Sequence, residues 1–218
     1  MTARGARETL RAVDAVAFAV AGTPVTWIEL WGDATGLVCV YLVARANVWN
    51  WPVGIANTVL FFFLFARARL YGDALLQVVF TALGVYGWWQ WTRPDAAGGE
   101  LPVRRASAAE SLAMGLVSLA GTAFAALVLA RHTDSPVPVW DASVLVLSLV
   151  ATWAQAVKLC ESWWLWIAVD VISLPLYVAR GLYPTALLYA LFLGLCVLGL
   201  REWQRIFREQ DAPAGAAP

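Results

Sequence analysis

The sequence has few of the groups on which most catalysis and metal binding rest. It contains one histidine, His132, one lysine, Lys158, and three cysteines, Cys39, Cys160 and Cys196, each in or beside an apolar run. A lone histidine beside a Ser-Pro-Val-Pro loop has no partner for a catalytic pair or a metal site. An odd set of thiols without paired spacing supports neither a disulfide framework nor a zinc site. No glycine-rich loop ends in Gly-Lys-Ser or Gly-Lys-Thr, which argues against direct ATP-driven work by this chain. Charge is scarce as well, at 14% of 218 residues, and the 15 basic and 15 acidic side chains cancel. With no net field, nucleic-acid binding is excluded.

What is abundant is apolar surface and tryptophan. Hydrophobic residues make up 61% of the chain and 13 are Trp, against about 45 to 50% apolar residues in an average soluble domain. A helix crossing a bilayer needs about 20 mostly apolar residues. Seven stretches qualify: Trp31 to Ala46 (possibly from Trp27), Trp49 to Ala66, Leu70 to Trp91, Ser107 to Ala130, Trp140 to Val157, Ser162 to Ala179, and Pro184 to about Trp203. Arg93-Pro94-Asp95 closes the third, because proline cannot continue a helix and the charges favour water. Thr9 to Ala21 is too short and is interrupted by Asp14, so it reads as an interfacial helix, with a cleaved signal peptide as the rival. The small, polar tail is expected to be disordered. Arg and Lys divide nearly evenly between the two sides, so the positive-inside rule assigns no orientation.

The first three spans resemble the last three. Leu70-Tyr71-Gly72-Asp73-Ala74-Leu75-Leu76-Gln77 returns in the second half as Leu182-Tyr183-Pro184-Thr185-Ala186-Leu187-Leu188-Tyr189, and in the same register Phe80, Gly87 and Trp91 fall on Phe192, Gly199 and Trp203. With a one-residue shift, Trp51 falls on Trp164 and Asn57 on Asp170. Three helices plus one connector bring the second triplet back to the same starting side, which predicts parallel repeats and a substrate site near the midplane between them. The expected organisation is an N-terminal segment over 1–26, a first repeat over 27–92, a linker with the connecting helix over 93–139, a second repeat over 140–206, and a tail over 207–218. The predicted fold is therefore an all-α integral membrane protein with seven transmembrane helices in a 3+1+3 parallel-repeat arrangement.

Polar residues inside spans mark the candidate site, since a carboxylate facing lipid costs roughly 2.5 to 3.5 kcal/mol at the membrane centre. Asp170 sits mid-span, with Asn57 and Gln77 at comparable depth in the first half. Trp163, Trp166 and Asp170 follow each other at helical spacing and share one face. An aromatic wall ending in a carboxylate suits a flat cation. Arg45, Lys158 and Arg180 all lie at span ends, so a phosphate would find no cationic partner at the midplane. Pro175, one turn beyond Asp170, predicts a hinge. Trp88, Gln90 and Trp91 crowd the end of the third span as gate or interface anchors. An intramembrane enzyme using Asp170 and Asp73 is the rival reading, weakened by the absence of an aligned nucleophile or second carboxylate.

The strings Trp49-Asn50-Trp51-Pro52-Val53-Gly54-Ile55-Ala56-Asn57, Tyr86-Gly87-Trp88-Trp89-Gln90-Trp91, and Glu161-Ser162-Trp163-Trp164-Leu165-Trp166-Ile167 before Asp170, with the repeated Leu-Tyr motif, resemble the PnuC vitamin transporters over about residues 27 to 205. The resemblance implies a helix fold similar to the SWEET sugar transporters in the cell inner membrane. It further implies uptake of nicotinamide riboside for NAD synthesis by facilitated diffusion, without a cofactor, and trapping of the product by a cytoplasmic kinase. It carries substrate contact onto Asn50, Asn57, Gln77, Trp163, Trp166 and Asp170, with Tyr86, Trp88, Gln90 and Tyr177 as further candidates. The expected partners are a small-molecule vitamin, the lipid bilayer, the kinase and other copies of the chain in a homo-oligomer. Thiamine, also a flat cation, and the larger neutral riboflavin are the alternative substrates.

Overall fold

The structure is a computed structural model and describes residues 16–20, 22–67, 69, 71–94 and 98–211. Seven helices account for most of them: α1 (Trp27–Ala44), α2 (Asn50–Arg67), α3 (Tyr71–Thr92), α4 (Ala108–His132), α5 (Pro138–Ala156), α6 (Ser162–Ala179) and α7 (Tyr183–Asp211). Each coincides with an expected span to within a few residues except at the end of α7. There the helix runs on to Asp211 instead of giving way to a disordered tail at residue 207. Its last turns are held by Arg205, which pairs with Glu202 at 2.8 Å and Glu209 at 3.1 Å, one helical turn to either side. The remainder of the tail, like residues 1–15, lies outside the described residues.

The N-terminal expectation is corrected where it can be seen. Val16–Val20 is not helical. It forms β1 and pairs antiparallel with β2 (Thr23–Thr26). Val-Ala-Phe-Ala-Val contains β-branched and aromatic residues, and Gly22, at φ 83°, supplies the turn that lets the chain return. The architecture is thus helical with one small hairpin.

The helices pack in a closed order. α1 lies against α2 and α7, α2 against α3, α3 against α5, α5 against α6, and α6 against α7. The connecting helix α4 packs on α5, at the outside of this ring, and most of its surface is exposed. A helix that is apolar all round and unburied by protein is covered by lipid. Four helices, α4 to α7, are long and apolar enough to cross a membrane, and Leu30–Ala44 within α1 is a shorter apolar stretch. The lower mean hydropathy of α2 and α3 reflects Asn50, Asn57, Thr58, Gln77, Thr81 and Gln90. α4 starts on a complete capping box: Ser107 Oγ accepts from the Glu110 amide at 3.2 Å, and the Glu110 carboxylate accepts from the Ser107 amide at 2.8 Å.

The turns match between the two halves of the sequence. Ala46 (φ 50°) and Lys158 (φ 52°) end α1 and α5 in the left-handed conformation, and they are counterparts in the register that places Leu70 on Leu182. At each, the next amide reaches back to the last full turn of the helix: Asn47 N donates to Leu42 O and Leu159 N to Ala154 O, both at 2.9 Å. One turn further, the side chains of Asn50 and Ser162 donate to the carbonyls of Asn47 and Leu159, both at 2.7 Å. Arg69 (φ 61°) and Gly181 (φ 72°) repeat the pattern at the other ends of α2 and α6.

Candidate functional site

The ring of six helices encloses a cavity of about 300 Å³ to which α1, α2, α3, α5, α6 and α7 all contribute and α4 does not. Its floor is aromatic. Trp51 and Trp91 meet edge to face at 5.5 Å, Trp163 and Trp203 do so at 5.6 Å, and Trp91 and Trp203 touch at 6.0 Å to join the two pairs. All four indoles are almost fully buried. Close packing of this kind requires glycine opposite each inner ring: a Cβ on Gly87 would lie 2.3 Å from Trp51, and one on Gly199 would lie 2.3 Å from Trp163. These matched contacts fix the register of the repeat. Trp51 corresponds to Trp163, not Trp164, which is 59% exposed. No shift is needed, so Asn57 corresponds to Val169 and not to Asp170.

Above this floor stand the polar groups. Asp170 is 3% exposed and lines the cavity with Trp163 and Trp166, as the spacing along α6 predicted. Its Oδ2 accepts no hydrogen bond, and the indole N–H groups of Trp51 and Trp163 donate none. Buried polar atoms are nearly always paired, so an acceptor and two donors left unused on three residues that line the cavity set this region apart. Asn57 also faces the cavity, its Nδ2 donating to Thr35 Oγ1 at 2.6 Å and Gly32 O at 3.3 Å. Among the described residues no Arg or Lys lines this cavity. Glu and His are absent from its lining as well, which leaves Asp170 as its single carboxylic acid.

The structure thus brings together Asn50, Asn57, Trp163, Trp166 and Asp170. It does not bring in Gln77, Tyr86, Trp88 or Gln90. Tyr86 accepts from Gln90 Nε2 at 2.6 Å in packing away from the cavity, and Trp88 is 43% exposed. Tyr177 lies toward the opposite end of α6, against Tyr189 at 5.0 Å, and borders a second, more polar cavity with Asp73, Asp141 and Arg180. Pro175 is inside α6, as expected, one turn from Asp170. Sequence reasoning missed the contribution of α5: Ser148, Thr152 and Gln155 line the wall. Gln155 Oε1 accepts from Trp166 Nε1 at 2.9 Å and so orients that ring. The spacing Ser148-Thr152-Gln155 along one face of an apolar helix was the available signal.

Six helices in a ring around a ligand-sized cavity, with four of the seven helices long and apolar enough to cross a membrane, describe a polytopic membrane protein with a binding site between its helices. A family profile described as nicotinamide mononucleotide transporter matches residues 26–205. The chain is 32% identical over 200 residues to the riboflavin/roseoflavin transporter RibM of Streptomyces davaonensis, covering 90% of this chain and 93% of that one. It is 30% identical over 218 residues to the nicotinamide riboside transporter PnuC of Escherichia coli, covering 88% and 91%. The crystal structure of a vitamin B3 transporter PnuC superposes with a TM-score of 0.68 at 23% identity, covering 84% of this chain and 83% of that one. The chain belongs to the PnuC family of membrane transporters.

Proposed function

We propose that this protein carries an unphosphorylated flat vitamin, nicotinamide riboside, across the cell membrane through the central cavity. The observation that carries the reading is the charge pattern of that cavity. A buried carboxylate with a free oxygen stands beside two indole faces, and no Arg or Lys is among the lining residues. A pyridinium cation gains from the ring faces and from the carboxylate, and its amide and hydroxyls match polar wall residues such as Asn57 and Thr152. A phosphate there would meet only negative charge, which favours the riboside over the mononucleotide in the family's description.

The helices cross the membrane seven times as two parallel triplets joined by α4. The matched turns at Ala46 and Lys158 and the matched tryptophan–glycine contacts support this arrangement. The carrier works by rocking one triplet against the other about the midplane site, with Pro175 as the flexible point beside Asp170. The cycle does not need Asp170 to change protonation, so transport is a uniport drawn inward by phosphorylation of the product in the cytoplasm. The relative that transports riboflavin, at 32% identity, favours a second reading in which the flat ring is an isoalloxazine.

Counterflow in proteoliposomes decides between them. Vesicles preloaded with unlabelled nicotinamide riboside should accumulate labelled riboside transiently, with no ion gradient imposed. Accumulation of riboflavin alone selects the second reading, and uptake that requires a proton or sodium gradient excludes the uniport.

A further inference from the structure

One end of the ring is fastened by two sets of hydrogen bonds that cross between the triplets in opposite directions. Trp203, on the last helix, donates its Nε1–H to Val43 O at 2.9 Å. Trp91, on the third helix, donates to Gln155 O at 3.2 Å and Ala156 O at 3.1 Å. In the register of the repeat, Trp203 is the counterpart of Trp91, and Gln155 is the counterpart of Val43. Each acceptor is a carbonyl at the C-terminal end of α1 or α5, and the indole bonds add to those of the closing turns, in which Val43 O accepts from Ala46 N at 2.8 Å and Gln155 O from Lys158 N at 3.0 Å. The third helix of each triplet thus caps the first helix of the other, and the Trp91–Trp203 contact closes the gap between the two caps.

The two caps differ in one respect. Val43 offers only its carbonyl. Gln155 offers its carbonyl to Trp91 and its side-chain oxygen to Trp166, on the wall of the cavity. One residue therefore holds a cavity ring by its side chain and the far-end fastening by its backbone. Resting on the reading of this cavity as a transport site, we propose that Gln155 is a positioning residue of the transport cycle, which couples the setting of Trp166 in the cavity to the reciprocal tryptophan caps that shut the end of the carrier bearing its C-terminus. Displacement of Trp166 pulls on the same residue whose carbonyl receives Trp91, whereas the side chain of Val43 has no polar atom with which to make such a connection.

The test needs no ligand and so stands apart from the question of substrate. Cys160 is buried in the tryptophan cluster at this end, 4% exposed. In a Cys39→Ala, Cys196→Ala background it is the only thiol in the chain, and its labelling by N-ethylmaleimide in proteoliposomes reports opening there. Trp91→Phe and Trp203→Phe keep a ring but lose the donor, and each should speed labelling about fivefold. Gln155→Leu should do the same, and Gln155→Glu, which keeps an acceptor for Trp166, should restore the slow rate. Combining Gln155→Leu with Trp91→Phe should add little, while combining it with Trp203→Phe should add fully. Labelling of Gln155→Leu at the parent rate, or of Gln155→Glu as fast as Gln155→Leu, overturns the coupling. If a Trp variant fails to give monodisperse protein, the two Gln155 variants decide the matter alone.

Discussion

Trp51 and Gly87 approach so closely that a methyl group on the glycine would sit 2.3 Å from the indole, and Trp163 and Gly199 repeat the contact at the same 2.3 Å between α6 and α7. Both rings are buried beneath the cavity, and in both the helix carrying the glycine brings a second tryptophan to the edge of the first. The floor of the site is therefore set by a residue with no side chain. Gly87→Ala and Gly199→Ala should each destabilise the protein, by about 1–3 kcal/mol for an overpacked site. Thermal unfolding in detergent should show similar losses for the two. A loss at only one of them would mean that the triplets do not pack equivalently.

Asp170 carries the electrostatic half of the account. Replacing it with asparagine keeps the shape and removes the charge, and nicotinamide riboside should then bind about 10- to 100-fold more weakly, the value of a hydrogen bond to a charged group. Binding of neutral riboflavin should change far less. Without ligand the variant should be at least as stable as the parent, because a buried carboxylate with an unpartnered oxygen carries a desolvation cost that the amide avoids. Calorimetric titration and thermal unfolding measure the two effects separately.

Much of this was legible in the sequence, for definite reasons. Seven apolar runs of spanning length, separated by Arg93-Pro94 and by short polar turns, have too little polar surface to fold in water and enough length to cross lipid. Helical spacing alone puts Trp163, Trp166 and Asp170 on one face, and all three line the cavity. The register of the repeat between Trp51 and Trp163 was not readable, because two adjacent tryptophans, Trp163 and Trp164, compete for the match and only packing against Gly199 separates them. Gln155 escaped for a related reason: its importance lies in which ring and which carbonyl it meets across the bundle. Gln77, Tyr86, Trp88 and Gln90 have the right chemistry for a site but face elsewhere on α3, and a polar side chain in a span does not by itself say which way it turns.

The loop before α4 is tied to the rest of the protein by a second set of contacts. Arg104 N donates to Lys158 O at 3.0 Å, Cys160 N donates to Arg104 O at 2.9 Å, and the Arg104 guanidinium makes two bonds to Glu110, at 2.8 and 3.0 Å. Ser107→Ala removes one cap bond and should cost about 0.5–2 kcal/mol. Glu110→Ala removes the reciprocal cap and the Arg104 pair together and should cost more. Proteolysis within residues 98–107 should accelerate in the same order. An effect of Ser107→Ala as large as that of Glu110→Ala would mean that the Arg104 pair contributes nothing.

A hinge at Pro175 would separate binding from movement. Its ring leaves the helix without one donor beside Asp170. Pro175→Ala should restore a continuous helix, leave the affinity for nicotinamide riboside unchanged, and slow counterflow. Slowed counterflow together with weakened binding would place Pro175 in the shape of the site and not in its motion.

The central claim is that the cavity accepts a flat cation and refuses its phosphate. It is tested most directly by titrating the purified protein with nicotinamide riboside and with nicotinamide mononucleotide, which differ only in the phosphate. With no Arg or Lys among the described residues lining the cavity and Asp170 Oδ2 unpartnered within it, the riboside should bind and the mononucleotide should not. Equal or tighter binding of the mononucleotide would contradict the account.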